Sequence, residues 1–308
     1  MRYDLVIPTI GRPSLLELLQ SLERCEGPLP QRIFIVDDRR DASVPLVFDG
    51  IDTSLARRIS VLRGKAAGPA AARNTGWRAS DAEWIAFLDD DVIVRDRWLQ
   101  MLVRDIEILQ AEQAGSQGRV HVPLPHDRPA TDWERNVAGL ASSAWITADM
   151  VYRRSVLRAL NGFDERFKRA YREDADFALR VFAHGYRIAR GSREIDHPVR
   201  PADPWISVRL QAGNADDVLM SALHGKDWRG RAGAPRGRWP YHLATVACFA
   251  GWAALTGEFA WRRLKPGPRT PRELRTIVLT SAVIPFAAVY HRTRALLTLR
   301  SRLREAHE

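Results

Sequence analysis

Apolar residues along the first 125 positions arrive in two alternating rhythms. Short unbroken runs at 4–7 (DLVI), 32–36 (RIFIV), 59–62 (ISVL) and 84–88 (WIAFL) read as strands, the first ending at Pro8. Between them the spacing turns helical. Leucines at 15, 16, 18, 19 and 22 make a stripe over 14–22, and Ser14 and Glu17 have the separation of a capping box. Residues 70–79 read as a second helix, and 96–109 as a third with Trp98, Leu102, Ile106 and Leu109 on one side. Strands alternating with helices predict parallel pairing in a doubly wound, mostly parallel α/β sheet. Ligands of such sheets bind beyond the carboxyl ends of the strands. Those ends carry Pro8-Thr9, Asp37-Asp38 and Asp89-Asp90-Asp91. Neighbouring acidic clusters need a counter-charge, and a divalent cation or a bound cationic group is the simplest.

From 126 to 200 the pattern is mixed. Residues 145–152 read as a strand, 154–160 as a helix ending at Gly162, and 173–184 as a helix ending at Gly185. A strand over 186–190 leads by a short loop to His197. The stretches 115–133 and 198–214 read as loops, and Asn214-Ala215-Asp216-Asp217 as a helix start. Beyond Pro204 the texture changes. Residues 225–238 (GKDWRGRAGAPRGR) read as a linker, followed by apolar runs at 242–257 and 276–291 around a Pro/Arg segment. The expected organisation is a catalytic domain over 1–205, a connecting segment over 206–238 and a basic, apolar helical tail over 239–308.

Composition changes this picture in two ways. Two cysteines in 308 residues exclude a disulfide framework or a thiolate metal cluster, and 45% hydrophobic residues exclude a mostly disordered chain. The net charge of +10 is uneven: residues 228–308 carry 15 Lys/Arg and 4 Asp/Glu, while the first 227 are balanced to within one charge. A nucleic-acid binder more often spreads its positive charge across the folded body. Residues 1–11 lack the long apolar stretch of a cleavable leader, so the body is expected in the cytoplasm.

Each apolar run of the tail holds 16 residues without Asp, Glu, Lys or Arg, short of the ~20 that span a bilayer. Pro285 interrupts the second run. Arginines and Trp/Tyr edge both, which fits a helical hairpin lying at an anionic membrane face. A soluble helical pair packed on the body or on a partner fits the same pattern.

Four groups of residues carry candidate chemistry. If strand geometry persists through Asp91, Asp89 and Asp91 share one side and Asp90 faces the other. Paired carboxylates suit Mg2+ or Mn2+ completed by substrate phosphates, although a solvated acidic turn is an equal reading. Glu173-Asp174-x-Asp176 opens a helix, where acidic residues answer the dipole or supply a general base. In Gly68-Pro69-Ala70-Ala71-Ala72-Arg73-Asn74-Thr75-Gly76 the small residues allow close packing, and Arg73 and Asn74 would offer donors to a base or phosphate. His197 is a structural histidine or a further metal ligand.

Read together, VIPT at 6–9, VDD at 36–38, GPAAARNTG at 68–76, FLDDDV at 87–92, NGFDERF at 161–167 and EDADFALRVFAHGYRI at 173–188 resemble a family 2 glycosyltransferase of the bacterial cell-envelope polysaccharide type. The resemblance covers about residues 3–200. It implies a GT-A fold (Rossmann-like) with the C-terminal helical extension as an addition. It also implies a nucleotide-sugar donor, UDP-, GDP- or dTDP-linked, a divalent cation (Mg2+ or Mn2+), and inversion by single displacement onto a glycan or lipid-linked acceptor. On it, Pro8, Thr9, Asp38, Arg73, Asp89 and Asp90 lie on the donor side. Asp89, Asp91 and His197 hold the metal, Asp174 is the base, and Asp149 and Glu173 lie on the acceptor side. The sequence departs from the family at Arg39-Arg40, where a small pair is usual after Asp38, and at Asn161.

Two other classes compete. A nucleotidyltransferase needs a Gly-rich loop after the first strand, where this chain has Pro8-Thr9-Ile10-Gly11-Arg12. A basic binder of nucleic acid or anionic lipid would leave the ordered carboxylates unexplained.

Overall fold

The four apolar runs become parallel strands, arranged so that their carboxyl ends open on one side. The computed structural model describes residues 2–305, positions 249 and 250 by backbone alone. The chain gathers into two compact units, Met1–Val122 with Ala141–Pro198, and Pro123–Leu140 with Val199–Glu308.

The first unit is built on one sheet. Its strands are β1 (Tyr3–Thr9), β2 (Ile33–Asp37), β3 (Ile59–Arg63), β4 (Trp84–Leu88), β5 (Ile93–Val94), β6 (Gln113–His121), β7 (Asp149–Arg153) and β8 (Arg187–Asp196), in the order β3-β2-β1-β4-β7-β6-β8-β5. The β3-β2-β1-β4 half is parallel. Beyond it β7 runs antiparallel to both β4 and β6, β8 is parallel to β6, and β5 is antiparallel to β8. The doubly wound α/β class expected from the sequence is therefore present, with a mixed half added.

Strand β6 lies in the stretch expected to be a loop. Its sequence, QAGSQGRVH, lacks an apolar run, yet five consecutive residues are buried. Ser116 accepts from Arg193 Nη1 at 2.8 Å, and Gln117 donates to the Ser143 carbonyl at 3.1 Å. A Cβ at Gly115 would collide with the Val151 carbonyl. Satisfied polar groups and a close strand approach thus replace hydrophobicity here. β8 is also longer than expected and runs straight into His197, whose N–H donates to His121 O at 2.7 Å.

The helix Ser14–Arg24 forms, but its capping box does not. Pro13 is already in helical geometry, the cap has no side-chain hydrogen bond, and Ser14 Oγ is buried without a partner. The helix Pro69–Ala79 starts at Gly68 with φ 97°, and Ala70, Ala71 and Ala72 are buried. A Cβ at Gly76 would strike Val6 Cγ1, so the small residues do press the helix onto the sheet. Below the open side, Phe87, Tyr152, Phe163 and Phe177 meet mostly edge to face, with ring centroids 4.9–6.5 Å apart.

The second unit is helical. Asn214–His224 starts where expected, and its buried Asp216 and Asp217 pair with Arg302 and Arg229. The run 242–257 divides between the helices Trp239–Ala247 and Phe249–Leu264, with Cys248 extended between them. The run 276–291 lies inside one helix, Pro271–Leu297, which continues through Pro285 rather than stopping there. The helix Asp132–Ala138, unforeseen in the sequence, has a complete Thr131/Glu134 capping box and joins this unit through Arg263. That guanidinium donates to Asp132, Ser207, Thr280 and Ser281 at 2.7–3.2 Å.

Candidate active site

Two parallel strand ends, those of β2 and β4, deliver acidic residues to one side of the first unit, and arginines of the same unit answer most of them. Arg39 turns back onto Asp37, Nε to Oδ1 at 2.8 Å and Nη2 to Oδ2 at 2.6 Å, which holds the Asp37 carboxyl below its ordinary range. Arg39 therefore does not lie over the neighbouring Asp38. One oxygen of Asp38 accepts from the Gly68 N–H at 2.8 Å, and the other is buried without a partner. That open acceptor lies at the strand end where a nucleoside was expected.

The aspartate triplet does not continue β4. The strand ends at Leu88 and the next residues turn, so alternation of faces fails and each carboxylate goes its own way. Asp90 is buried; it accepts from Thr9 Oγ1 and Arg12 Nη1, both at 2.6 Å. The same Thr9 hydroxyl accepts from the Gly11 N–H at 2.9 Å. Thr9 and Asp90, expected on the donor side, fasten the loop after β1. Pro8 is half-buried beside them.

Asp89 remains 30% exposed and pairs with Arg73 at 2.7 Å. Arg73 is buried and forks: Nη1 reaches Glu173 at 2.9 Å while Nη2 holds Asp89. Burial would lower its pKa, but Asp89 and Glu173 outweigh burial and raise it. Glu173 opens the helix Glu173–Ala183 after Arg172, which sits at φ 77°. A left-handed non-glycine residue there is strained and sets the angle at which the acidic helix start meets the sheet. Burial, then the charge of Asp174, pushes Glu173 up to about 8. Burial also raises Asp174, against the opposing pull of Arg73. A carboxylate raised in this way, on a helix start facing a strand end, is equipped to accept a proton.

Asp91 is buried beside His197, with Nε2 3.6 Å from Oδ1, and His197 Nδ1 is buried without a partner. Among the described residues, no three His, Cys, Asp or Glu side chains are grouped closely enough to hold an ion by themselves. A hard cation held by one or two carboxylates and completed by phosphate oxygens needs no such cluster. Asp91 with His197 beside it, and the partly exposed Asp89 nearby in sequence, fit that shared mode of binding.

Two expected contacts lie elsewhere. Asp149 is fully buried, accepting from Trp98 Nε1 and Arg193 Nε at 2.7 Å each, so its carboxylate is used in the core and not offered to an acceptor. Asn74 holds the 161–165 loop, donating to Phe163 O at 2.8 Å and accepting from the Phe163 N–H at 2.9 Å. Gly162 there has φ 68°, and a Cβ would strike Asn74 Oδ1. Arg12, which sequence reasoning passed over, carries no local signal because its partner lies 78 positions away.

The comparisons bear on the family and the fold. The family model "Glycosyl transferase family 2" matches residues 4–161, about half of the chain. Pre-mycofactocin glycosyltransferases of two Mycobacterium tuberculosis strains are 30% identical over 135 residues, 39% of this chain and 28% of theirs. The chain thus matches less than a third of the length of these relatives. Succinoglycan biosynthesis protein ExoM of Rhizobium meliloti is 25% identical over 282 residues, 85% of this chain and 89% of ExoM. Among solved structures, S. aureus TarS 1–349 in complex with UDP-GlcNAc has a TM-score of 0.51 at 13% identity, covering 98% of this chain and 92% of that one. The mannosyltransferase PcManGT of Pyrobaculum calidifontis, in complex with GDP-Man and Mn2+, has a TM-score of 0.55 at 18% identity, covering 95% and 87%. At such identities the likeness is one of fold, and that fold is GT-A. With the family model spanning β1 to the end of the 154–159 helix, the chain belongs to glycosyl transferase family 2.

Proposed function

We propose that the chain transfers a sugar from a nucleoside diphosphate sugar to a hydroxyl of a glycan or lipid-linked acceptor, with inversion, in cell-envelope polysaccharide synthesis. The observation that carries this reading is the fork of Arg73, which ties the strand-end carboxylate Asp89 to the start of the helix bearing Asp174. One buried guanidinium thereby joins the donor-side carboxylate to the helix start that bears the proposed base. The succinoglycan role in ExoM's name and the nucleotide-sugar complexes of TarS and PcManGT support the substrate class.

In this reading Asp38 accepts from the nucleoside. Asp89, Asp91 and His197 would hold Mg2+ or Mn2+, which would offset the charge of the diphosphate. Arg73 adds a fixed positive charge beside it. Asp174 takes the proton of the acceptor hydroxyl as its oxygen forms the bond to the anomeric carbon. The bond from that carbon to the diphosphate oxygen breaks, and the nucleoside diphosphate leaves with the electron pair. Inversion follows because the base and the leaving group lie on opposite faces of the sugar. The reaction takes place in the cytoplasm at the inner face of the membrane, where the basic second unit meets anionic lipid; nucleic acid is not a partner.

A thermal-shift panel of UDP-, GDP- and dTDP-sugars with Mn2+ identifies the donor. Asp174→Asn is expected to abolish transfer, about a 10²-fold loss or more, while leaving the donor shift intact. Asp91→Ala is expected to weaken the Mn2+-dependent donor shift. Equal transfer by Asp174→Asn and the parent chain would remove the base assignment.

A further inference from the structure

The helix Pro271–Leu297 is apolar on two opposite faces, and only one of them is packed. Ile277, Ser281, Ile284, Ala288 and Ala295 are buried. At about 100° per residue the opposite face presents Arg272, Arg275, Leu279, Val283, Phe286 and Tyr290. The last four are 46%, 39%, 47% and 57% exposed. The most apolar window of this helix is one-third buried. A contiguous exposed stripe of this kind marks a docking surface.

The ends of the stripe say what it meets. Neither Arg272 nor Arg275 has an ion-pair partner among the described residues, and Arg294 follows at the far end, likewise unpaired. Arg272, Arg275, Thr276 and Leu279 line, with Pro204 and Trp205, an open cavity of about 510 Å³. Trp205 and Tyr290 place amphipathic rings near the two ends, as residues at a lipid–water boundary do. The one acidic residue of the first turn, Glu273, is turned away and accepts from the Asp132 N–H at 2.8 Å. The helix is long and apolar enough to cross a bilayer, yet its packed face argues against crossing. Thr280 and Ser281 there accept from the buried Arg263 guanidinium at 2.8 and 2.9 Å, a charged cluster that hydrocarbon would not tolerate.

We propose that this face lies along the surface of a bilayer containing anionic phospholipid. Arg272 and Arg275 take headgroup phosphate beside Trp205, and Leu279, Val283, Phe286 and Tyr290 enter the acyl boundary. The inference deepens the membrane location given under Proposed function and rests on it, naming the lipid class and the residues that meet it.

The test is flotation of the full chain with vesicles of phosphatidylcholine alone or mixed with phosphatidylglycerol, at low salt. Flotation with the mixed vesicles only is expected. Arg272→Glu with Arg275→Glu should weaken binding about 30-fold or more. Phe286→Ser with Tyr290→Ser should abolish it, while the donor-induced thermal shift shows that each variant is folded. No flotation, equal flotation with neutral vesicles, or variants that float like the parent would overturn the proposal. So would a dimer in solution that Phe286→Ser with Tyr290→Ser converts to a monomer without any vesicle binding. Transfer to a soluble acceptor is read separately on the parent chain: no transfer with flotation intact counts against the reaction, and no flotation with transfer intact counts against this surface.

Discussion

At the scale of single residues, Arg73 decides how the site is held. Its guanidinium reaches Asp89 and Glu173 at 2.7 and 2.9 Å, and its removal would leave Asp89 without its counter-charge and the buried Glu173 without its hydrogen-bond donor. Breaking such a buried pair from one side costs about 3–5 kcal/mol. Arg73→Met is therefore expected to lower Tm strongly, and adding Glu173→Gln to recover part of the loss. Glu173 also sets a pH dependence. Its pKa in the folded chain, about 8, lies above that of an ordinary carboxyl, so the folded state holds the proton over a range in which the unfolded state has lost it. The stability this provides is full below the ordinary carboxylate range and is lost as pH rises through about 8. Melting of the ligand-free chain between pH 5 and 9 should show Tm falling with pH, and Glu173→Gln should flatten the slope; a parallel slope in the variant would assign the effect elsewhere. The carboxylates were legible in the sequence because they stand at strand and helix ends. Their partners were not. Asp90 with Arg12 and Asp149 with Arg193 are ion pairs across 78 and 44 positions, and nothing local in the sequence announces them.

At the scale of elements, what was legible followed hydrophobicity. WIAFL at 84–88 forms β4 at the expected bounds, because all five side chains are buried. The capping spacing of Ser14 and Glu17 misled, because Pro13 starts the helix before the serine can cap it. Strand β6 escaped notice because its core is made of Gly115, Ser116 and Gln117, buried by satisfied hydrogen bonds and not by apolar surface. The same feature makes it sensitive. Gly115 faces the Val151 carbonyl with no room for a Cβ. Gly115→Ala is expected to cost about 1–3 kcal/mol as β6 and β7 separate. Denaturant unfolding would measure it, and an unchanged midpoint would mean that the strands can shift apart freely.

At the scale of the molecule, charge and chemistry are divided. The carboxylates proposed for transfer lie in Met1–Val122 and Ala141–Pro198, whereas the positive excess belongs to residues 228–308. Within the second unit, Arg263 is the internal tie, joining Asp132 on one helix to Thr280 and Ser281 on another and to Ser207. Each hydrogen bond to this charge is worth about 1.5–3 kcal/mol when a partner is deleted. Arg263→Met should therefore loosen the second unit, visible as a separate low-temperature step or a lowered first transition in calorimetry. If the division of roles is right, the Mn2+-dependent shift with the preferred nucleotide sugar should survive that change, because Asp38, Arg73, Asp89 and Asp91 all belong to the other unit. A donor shift lost together with the first transition would show that the nucleotide is read by both units, and the helical unit would then need to be counted as part of the active site.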